Sequence, residues 1–413
     1  MGHTIVEKIM KAHSGVDARP GDLVWIDLDV RSARDFGGAS VVKNFSSNYK
    51  GEKVADAAKT FFTFDCNAPA NTIPYAENQR SCRLFAKEQG IKVFDVIRGI
   101  GSHVLIEEGL VPPGCTVVGT DSHLNIMGAV GAFGQGMGDA DIAYAFRNGR
   151  TWFEVPESVK VVLDGVPPAG ITARDITFAV MRPFGSDGAL DKVVEVYGPC
   201  IDRLDLAGRI TLSSQGTEIG AIAVIVPPNE HLLDELYRMT GRKFVGVYAD
   251  SDAKYEKVMH IDVSKLEPLV AVPPSPTNIK GISELKGIRV DCVFIGSCTN
   301  GRYEDMLAAC NVLKGRKVAP DVNLFVVPAT SVVFQRMIKE GLIDILAEAG
   351  ALVSNPSCAG CASGQIGMTG SGEVMVSTSN RNFKGKQGNG MTYLASPVVA
   401  ACSAVAGQIT SKL

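Results

Sequence analysis

The sequence predicts an α/β protein of three domains with mostly parallel sheets. Three observations carry that expectation. Apolar runs of strand length alternate with helical patterns from one end of the chain to the other. The chain has 413 residues, too many for one hydrophobic core. Proline breaks fall at Pro156, where a new strand begins, and in Val272-Pro273-Pro274-Ser275-Pro276, which reads as a linker. These breaks divide the chain into 1–156, 157–272 and 273–413.

Taken in order, Met1-Gly2-His3-Thr4-Ile5-Val6-Glu7-Lys8 reads as a capped helix rather than a signal peptide. The runs Leu23 to Leu28, Thr60 to Phe64, Thr116 to Gly119 and Val159 to Leu163 read as strands. So do Val290 to Ile295, Asn323 to Val327 and Ala351 to Ser354. Helical patterns run from Asn78 to Gln89 and from Ser331, a plausible N-cap, to Glu340. The glycine-rich stretch Gly128 to Gly138 lacks a nucleotide fingerprint, and no Lys-Ser or Lys-Thr follows it. It predicts close backbone packing rather than a phosphate cradle.

Composition excludes several classes of function. The formal net charge is -3, from 41 basic and 44 acidic residues, so there is no electrostatic footprint for nucleic acid. Hydrophobic residues make up 46% and charged residues 21%, an ordinary globular mix. No apolar run reaches membrane-spanning length. Ten cysteines without a secretory signal point to a reducing, cytoplasmic setting and to metal-binding or structural roles. The terminal Ser411-Lys412-Leu413 matches a peroxisomal address, and a match of three residues is read as chance.

Three cysteines stand out. Cys298 lies in Gly296-Ser297-Cys298-Thr299-Asn300-Gly301, and Cys358 and Cys361 form a Cys-x-x-Cys in Ser357-Cys358-Ala359-Gly360-Cys361. Both segments follow strand-like runs, and the ends of strands are where an α/β sheet places a site. The residues alone leave three readings open: small buried hydrophobes, a zinc site, or an iron–sulfur cluster with one iron free of protein ligands. Cys66, Cys82, Cys115, Cys200, Cys292, Cys310 and Cys402 lie in apolar or helical settings and read mostly as core.

Six histidines supply the acid–base candidates. His3, His13, His231 and His260 read as solvated. His123, in Gly119-Thr120-Asp121-Ser122-His123, follows a strand, and His103 follows Arg98-Gly99-Ile100-Gly101-Ser102. Asp65 ends a strand. Glu218 is a lone acid in a Gly-rich apolar region, where a histidine is its natural partner. Arg381, in Ser379-Asn380-Arg381-Asn382-Phe383, suits a bidentate grip on a carboxylate.

Together these segments resemble the aconitase superfamily of iron–sulfur hydro-lyases, in its branch of 3-isopropylmalate dehydratase and homoaconitase large subunits. The similarity runs nearly end to end. It includes Gly119 to His123, Lys160 within Val155 to Lys160, Ile295 to Gly301, Ser377 to Phe383 and Tyr393-Leu394-Ala395-Ser396-Pro397. The resemblance implies domains 1–3 of the aconitase type around a [4Fe-4S] cluster, without the swivelling fourth domain. It implies Cys298, Cys358 and Cys361 as the cluster's ligands. Asp65, His103, Asp121, His123 and Glu218 would be catalytic, with His123 paired to Glu218 and Asp121 to the histidine at or near 103. Arg34, Ser122, Asn380, Arg381 and Lys386 would bind substrate, a 2-hydroxy di- or tricarboxylic acid. A separate small subunit would supply the missing domain and the group that removes the α-proton.

The chain also departs from the family. Cys66 stands where a histidine is usual, and Ser102-His103 where a histidine precedes glutamine. Ser214 replaces an asparagine, Lys386 an arginine, and Arg34 a glutamine or histidine. These changes leave the ligands intact and alter the substrate shell. They open the alternative of the same chemistry on dimethylmalate, maleate or citraconate, or of a non-catalytic accessory subunit that keeps its cluster.

Overall fold

The computed structural model describes residues 2–362 and 366–413, the side chains of Cys361 and Ala362 excepted. The chain opens with the helix Ile5–Ser14, closed at its start by a capping box between Thr4 and Glu7, as the sequence pattern predicts. Among the described residues, strands assemble into sheets of five, four and seven, plus a two-stranded ribbon.

The five-stranded sheet is all parallel, in the order Lys92–Phe94, Thr60–Thr63, Val30–Arg34, Thr116–Gly119, Phe133–Gly136. The strand Val30–Arg34 therefore lies between Thr60–Thr63 and Thr116–Gly119. Asp65, Arg34 and Asp121 therefore follow one another across the same C-terminal edge. The four-stranded sheet is also parallel, in the order Ala223–Ile225, Lys192–Tyr197, Glu157–Asp164, Lys257–Asp262.

The seven-stranded sheet runs Ile279–Gly281, Leu269–Ala271, Met391–Leu394, Val374–Ser377, Cys292–Ile295, Asn323–Val326, Leu352–Val353. Its last five strands are parallel, and Leu269–Ala271 runs antiparallel to both of its neighbours. Cys298, Cys358 and Asn380-Arg381 all follow C-terminal ends of those parallel strands. Leu269–Ala271, just ahead of the proline run at 272–276, already pairs within this sheet.

The segment Leu23–Asp27 is a strand as predicted, but it pairs only with Arg150–Glu154, in an antiparallel ribbon. One apolar cluster draws Val30 and Phe61 of the first sheet together with Leu206, Ile210, Ala329, Cys298 and Cys358. The core thus runs up to the floor of the cysteine site. The glycine-rich stretch packs closely, as expected: a Cβ on Gly128 would lie 1.9 Å from the Val224 carbonyl oxygen, and one on Gly136 2.4 Å from that of Asp121. No described helix is long and apolar enough to cross a membrane.

Candidate active site

Three charged residues at neighbouring strand ends form one wall. Arg34 Nε donates to Asp65 Oδ1 at 2.7 Å, and Nη1 donates to Asp121 Oδ1 at 3.0 Å. The second oxygen of Asp65 accepts the backbone N–H of Gly101 at 2.6 Å. Asp35, next in sequence, orders the turn that carries Asp65. Its carboxylate accepts the N–H groups of Asp65, Cys66 and Asn67 at 2.9 to 3.2 Å, and the Gln79 amide at 3.1 Å. Asp65 is fully buried, and burial pushes it up to about 6. Arg34 pulls the other way, but Asp35 and Asp121 add to the rise. Burial also works against an ionised Asp121, yet Arg34 and His123 hold it below the usual carboxylate range. The arginine keeps its charge in spite of burial, because these two acids and Cys358 surround it.

The cysteines approach from the seven-stranded sheet. Cys298 and Cys358 are each 3% exposed and line one cavity of about 270 Å³. Each is flanked by a non-glycine residue with left-handed backbone, Ser297 (φ 77°) before the first and Ala359 (φ 45°) after the second. The surroundings fix both turns. Thr378 Oγ1 bonds to the backbone of Gly296 in both directions at 2.9 Å, and the Cys358 N–H donates to the Asp65 carbonyl at 2.8 Å. Cys298 Sγ lies 3.3 Å from Asn380 Oδ1, and Cys358 Sγ 2.8 Å from Arg34 Nη2. Cys361 lies in the turn Ala359–Ala362, and its side chain falls outside the described residues. Two thiols facing one cavity, with a third cysteine one turn on, form an all-sulfur donor set, which fits an iron–sulfur cluster.

His123 and Arg381 line the same cavity and share one acid. His123 Nε2 meets Glu218 Oε1 at 2.9 Å, and Arg381 Nε donates to the same oxygen at 2.7 Å. Glu218 sits on the turn Gly216–Ile219, tied back by Thr217 Oγ1 donating to the Ser122 carbonyl at 2.9 Å. Burial penalises the Glu218 carboxylate, but His123 and Arg381 outweigh that penalty and hold it below its usual range. Ser122 Oγ is 3.4 Å from His123 Nδ1. Asn380 is fully buried, and Lys386 lines the cavity with no ion pair among the described residues.

The structure thus brings Arg34, Ser122, His123, Arg381 and Lys386 onto the walls around Cys298 and Cys358. Asp65, Asp121 and Glu218 stand behind as hydrogen-bond partners. The expected pairing of Asp121 with His103 is not formed. His103 lies inside the helix Gly101–Glu107 and aims Nε2 at the Cys298 carbonyl at 2.9 Å. Complete burial and nearby Arg302 push it down to about 3, so the ring is neutral. Asp121 turns instead to Arg34, whose strand is its neighbour in the sheet. His3 and His13, expected to be solvated, are bonded to Asp17 and Asp29 with side chains only 12% and 16% exposed.

Sequence reasoning missed the organising role of Asp35 and the lining residues Phe36 and Thr120, whereas Cys66, already marked as a change in the substrate shell, does line the cavity. Their signal was position alone: each adjoins a residue already singled out.

Comparison with known proteins gives the context. The Aconitase family (aconitate hydratase) is matched over residues 7–286 and 279–407. The 3-isopropylmalate dehydratase large subunit 1 of Methanopyrus kandleri is 42% identical, over 99% of this chain and 99% of that protein. The homoaconitase large subunit of Thermus thermophilus is 44% identical, over 100% of this chain and 97% of that protein. Among solved structures, holo aconitase X of Thermococcus kodakaraensis shares the fold, with a TM-score of 0.51 at 13% identity over 91% of this chain and 89% of that one.

Proposed function

The chain belongs to the aconitase family, and from that membership we propose which residues act and on what kind of molecule. It is the large subunit of a [4Fe-4S] hydro-lyase of the 3-isopropylmalate dehydratase and homoaconitase type, completed by a separate small subunit. The proposed substrate is a 2-hydroxy di- or tricarboxylic acid. The observation that carries this reading is the His123–Glu218–Arg381 cluster facing Cys298 and Cys358 across one small cavity.

Cys298, Cys358 and Cys361 hold the cluster, which supplies a Lewis-acidic iron to the substrate hydroxyl. Arg381 and Lys386 bring positive charge to the substrate carboxylates, with Asn380 and Ser122 as hydrogen-bonding partners. The Glu218 carboxylate fixes the Nε2–H tautomer of His123. That leaves Nδ1, whose described contact is a long one to Ser122, to pass a proton to the leaving hydroxyl or take one from incoming water. Asp65 and Asp121 hold Arg34 in place. The small subunit is proposed to carry the base for the α-proton, so that this chain alone is inactive.

The test is anaerobic. The chain is co-expressed with its small subunit, and 3-isopropylmalate, homocitrate, dimethylmalate, maleate and citraconate are added in turn. Formation of the unsaturated acid from the hydroxy acids, or its loss from maleate and citraconate on hydration, is followed in the ultraviolet, alongside the spin-resonance signal of the cluster. Turnover of one panel member, with a substrate-dependent change in the signal, is expected. An intact cluster with no response to any member would overturn the catalytic reading in favour of an accessory subunit.

A further inference from the structure

Every nitrogen of the Arg34 guanidinium has a partner. Nε holds Asp65 at 2.7 Å, Nη1 holds Asp121 at 3.0 Å, and Nη2 stands 2.8 Å from Cys358 Sγ. The side chain is only 13% exposed, and both carboxylates are buried. Sheet order explains the arrangement. The strand Val30–Arg34 lies between the strands that end at Thr63 and Gly119, so a residue at its tip stands between Asp65 and Asp121. The backbone fixes the remaining partner, because the Cys358 N–H is bonded to the Asp65 carbonyl at 2.8 Å. A planar fork satisfies three directions at once, whereas an ammonium on a flexible stem does not.

An arginine with a free edge would act as a carboxylate clamp. Arg34 lines the cavity, but each of its three nitrogens already holds a partner, so no edge is left with both nitrogens open to a carboxylate. We infer that Arg34 is a positioning residue for the iron–sulfur cluster: it donates an N–H···S hydrogen bond to the thiolate of Cys358, with Asp65 and Asp121 holding the guanidinium in register. The inference rests on the proposed reading of Cys298, Cys358 and Cys361 as the ligands.

Hydrogen bonds to ligand sulfurs and nearby charge are levers that set a cluster's electron affinity. The sign follows from charge. The reduced cluster is the more negative, so a hydrogen-bond donor and a cation beside the sulfur favour it. Arg34 therefore raises the reduction potential and withdraws electron density from the ligand set. The same withdrawal strengthens the Lewis acid that the substrate hydroxyl meets.

The test uses the anaerobic two-subunit complex, poised with mediators at a fixed potential. The spin-resonance signal reports the reduced cluster. Arg34→Gln is expected to shift the ratio of reduced to oxidised cluster at least tenfold toward oxidised, about 59 mV for a one-electron couple. Arg34→Lys keeps the charge but loses the fork, and is expected to shift the ratio the same way by less. Wild-type ratios in both variants would overturn the inference and leave Arg34 as a brace between two acids. If either variant fails to hold a cluster, the wild-type complex answers instead. With 15N-labelled arginine, nitrogen hyperfine coupling to the reduced cluster that survives Arg381→Lys is expected, and its absence overturns the inference. Failure of the wild-type chain to take up any cluster would instead overturn the reading of the three cysteines.

Discussion

Glu218 offers the sharpest test of the acid–base assignment. One of its oxygens accepts from both His123 at 2.9 Å and Arg381 at 2.7 Å, so Glu218→Gln weakens two contacts at once. The amide keeps the shape and a carbonyl acceptor but removes the charge. A hydrogen bond to an ionised group contributes about 1.5–3 kcal/mol and a neutral one about 0.5–1.5 kcal/mol, so each contact loses about 1.3 kcal/mol. About 1.4 kcal/mol is tenfold in rate or binding. The His123 contact acts on the proton transfer and so on kcat. The Arg381 contact holds the substrate grip in place and so acts on KM. The expected result is kcat down about tenfold, KM up about tenfold and kcat/KM down about a hundredfold. Steady-state assay of the reconstituted complex reads all three, and the cluster signal checks that the site is intact. A kcat/KM within about threefold of wild type, with the cluster present, would refute the argument. It would mean that His123 is oriented by something other than Glu218.

Two further predictions probe other groups. Lys386 brings to the cavity a charge with no ion pair among the described residues, so Lys386→Ala is expected to raise KM about tenfold, the cost of about one charge-assisted contact, while kcat changes much less; a comparable fall in kcat would move Lys386 from binding into the chemistry. Asp305 is fully buried, and burial pushes it from 3.8 up to about 7, although Asn300 and the Arg302 N–H pull the other way. The folded state therefore holds this proton more tightly than the unfolded chain. The stability it contributes is complete below 3.8 and is lost as pH rises through about 7, on the order of 4 kcal/mol. Asp305→Asn should flatten the fall of the thermal midpoint between pH 4 and pH 7, and identical profiles for the two proteins would refute it.

The parts of the fold legible in the sequence were those set by local pattern. Thr116–Gly119 is a fully buried strand, and a β-branched apolar run signals one directly. The helix Ile73–Gln89 begins five residues before the pattern suggested, because Pro74 reads as a break yet sits in the first turn, where its missing N–H costs nothing. The ribbon strand Leu23–Asp27 misleads differently. It alternates between exposed and buried positions, but the exposed ones include Leu23 and Trp25, so it looks like a strand for a sheet interior. Which strands lie side by side is not a local property, and the parts of the site that depend on it were not legible. His123 with Glu218 could be anticipated from chemistry, since a buried acid needs a partner. The turn to Arg34 by Asp121 could not, since it requires knowing that Val30–Arg34 lies beside Thr116–Gly119.

That strand order also bears on the departures at 34, 66 and 102. Asp65 and Asp121 are buried carboxylates, and each needs compensation. The family resemblance leads one to expect imidazoles next to them, where this chain has Cys66 and Ser102. Cys66 Sγ does reach Asp65 Oδ1 at 3.4 Å, but burial holds it as a thiol, which is a weak donor and no counter-charge. The compensation comes instead from one guanidinium placed between the two acids. The exchange is not neutral in function. An imidazole can give up its proton near neutral pH, whereas a guanidinium cannot. Arg34 therefore offsets part of the charge of Asp65 and Asp121, one cation against two carboxylates, without making them part of a proton relay. Under the proposed assignment, the acid–base work falls to His123 and its carboxylate, while Arg34 is a fixed charge set against the cysteine sulfur. The departure at 34 thus supplies the counter-charge that the one at 66 does not.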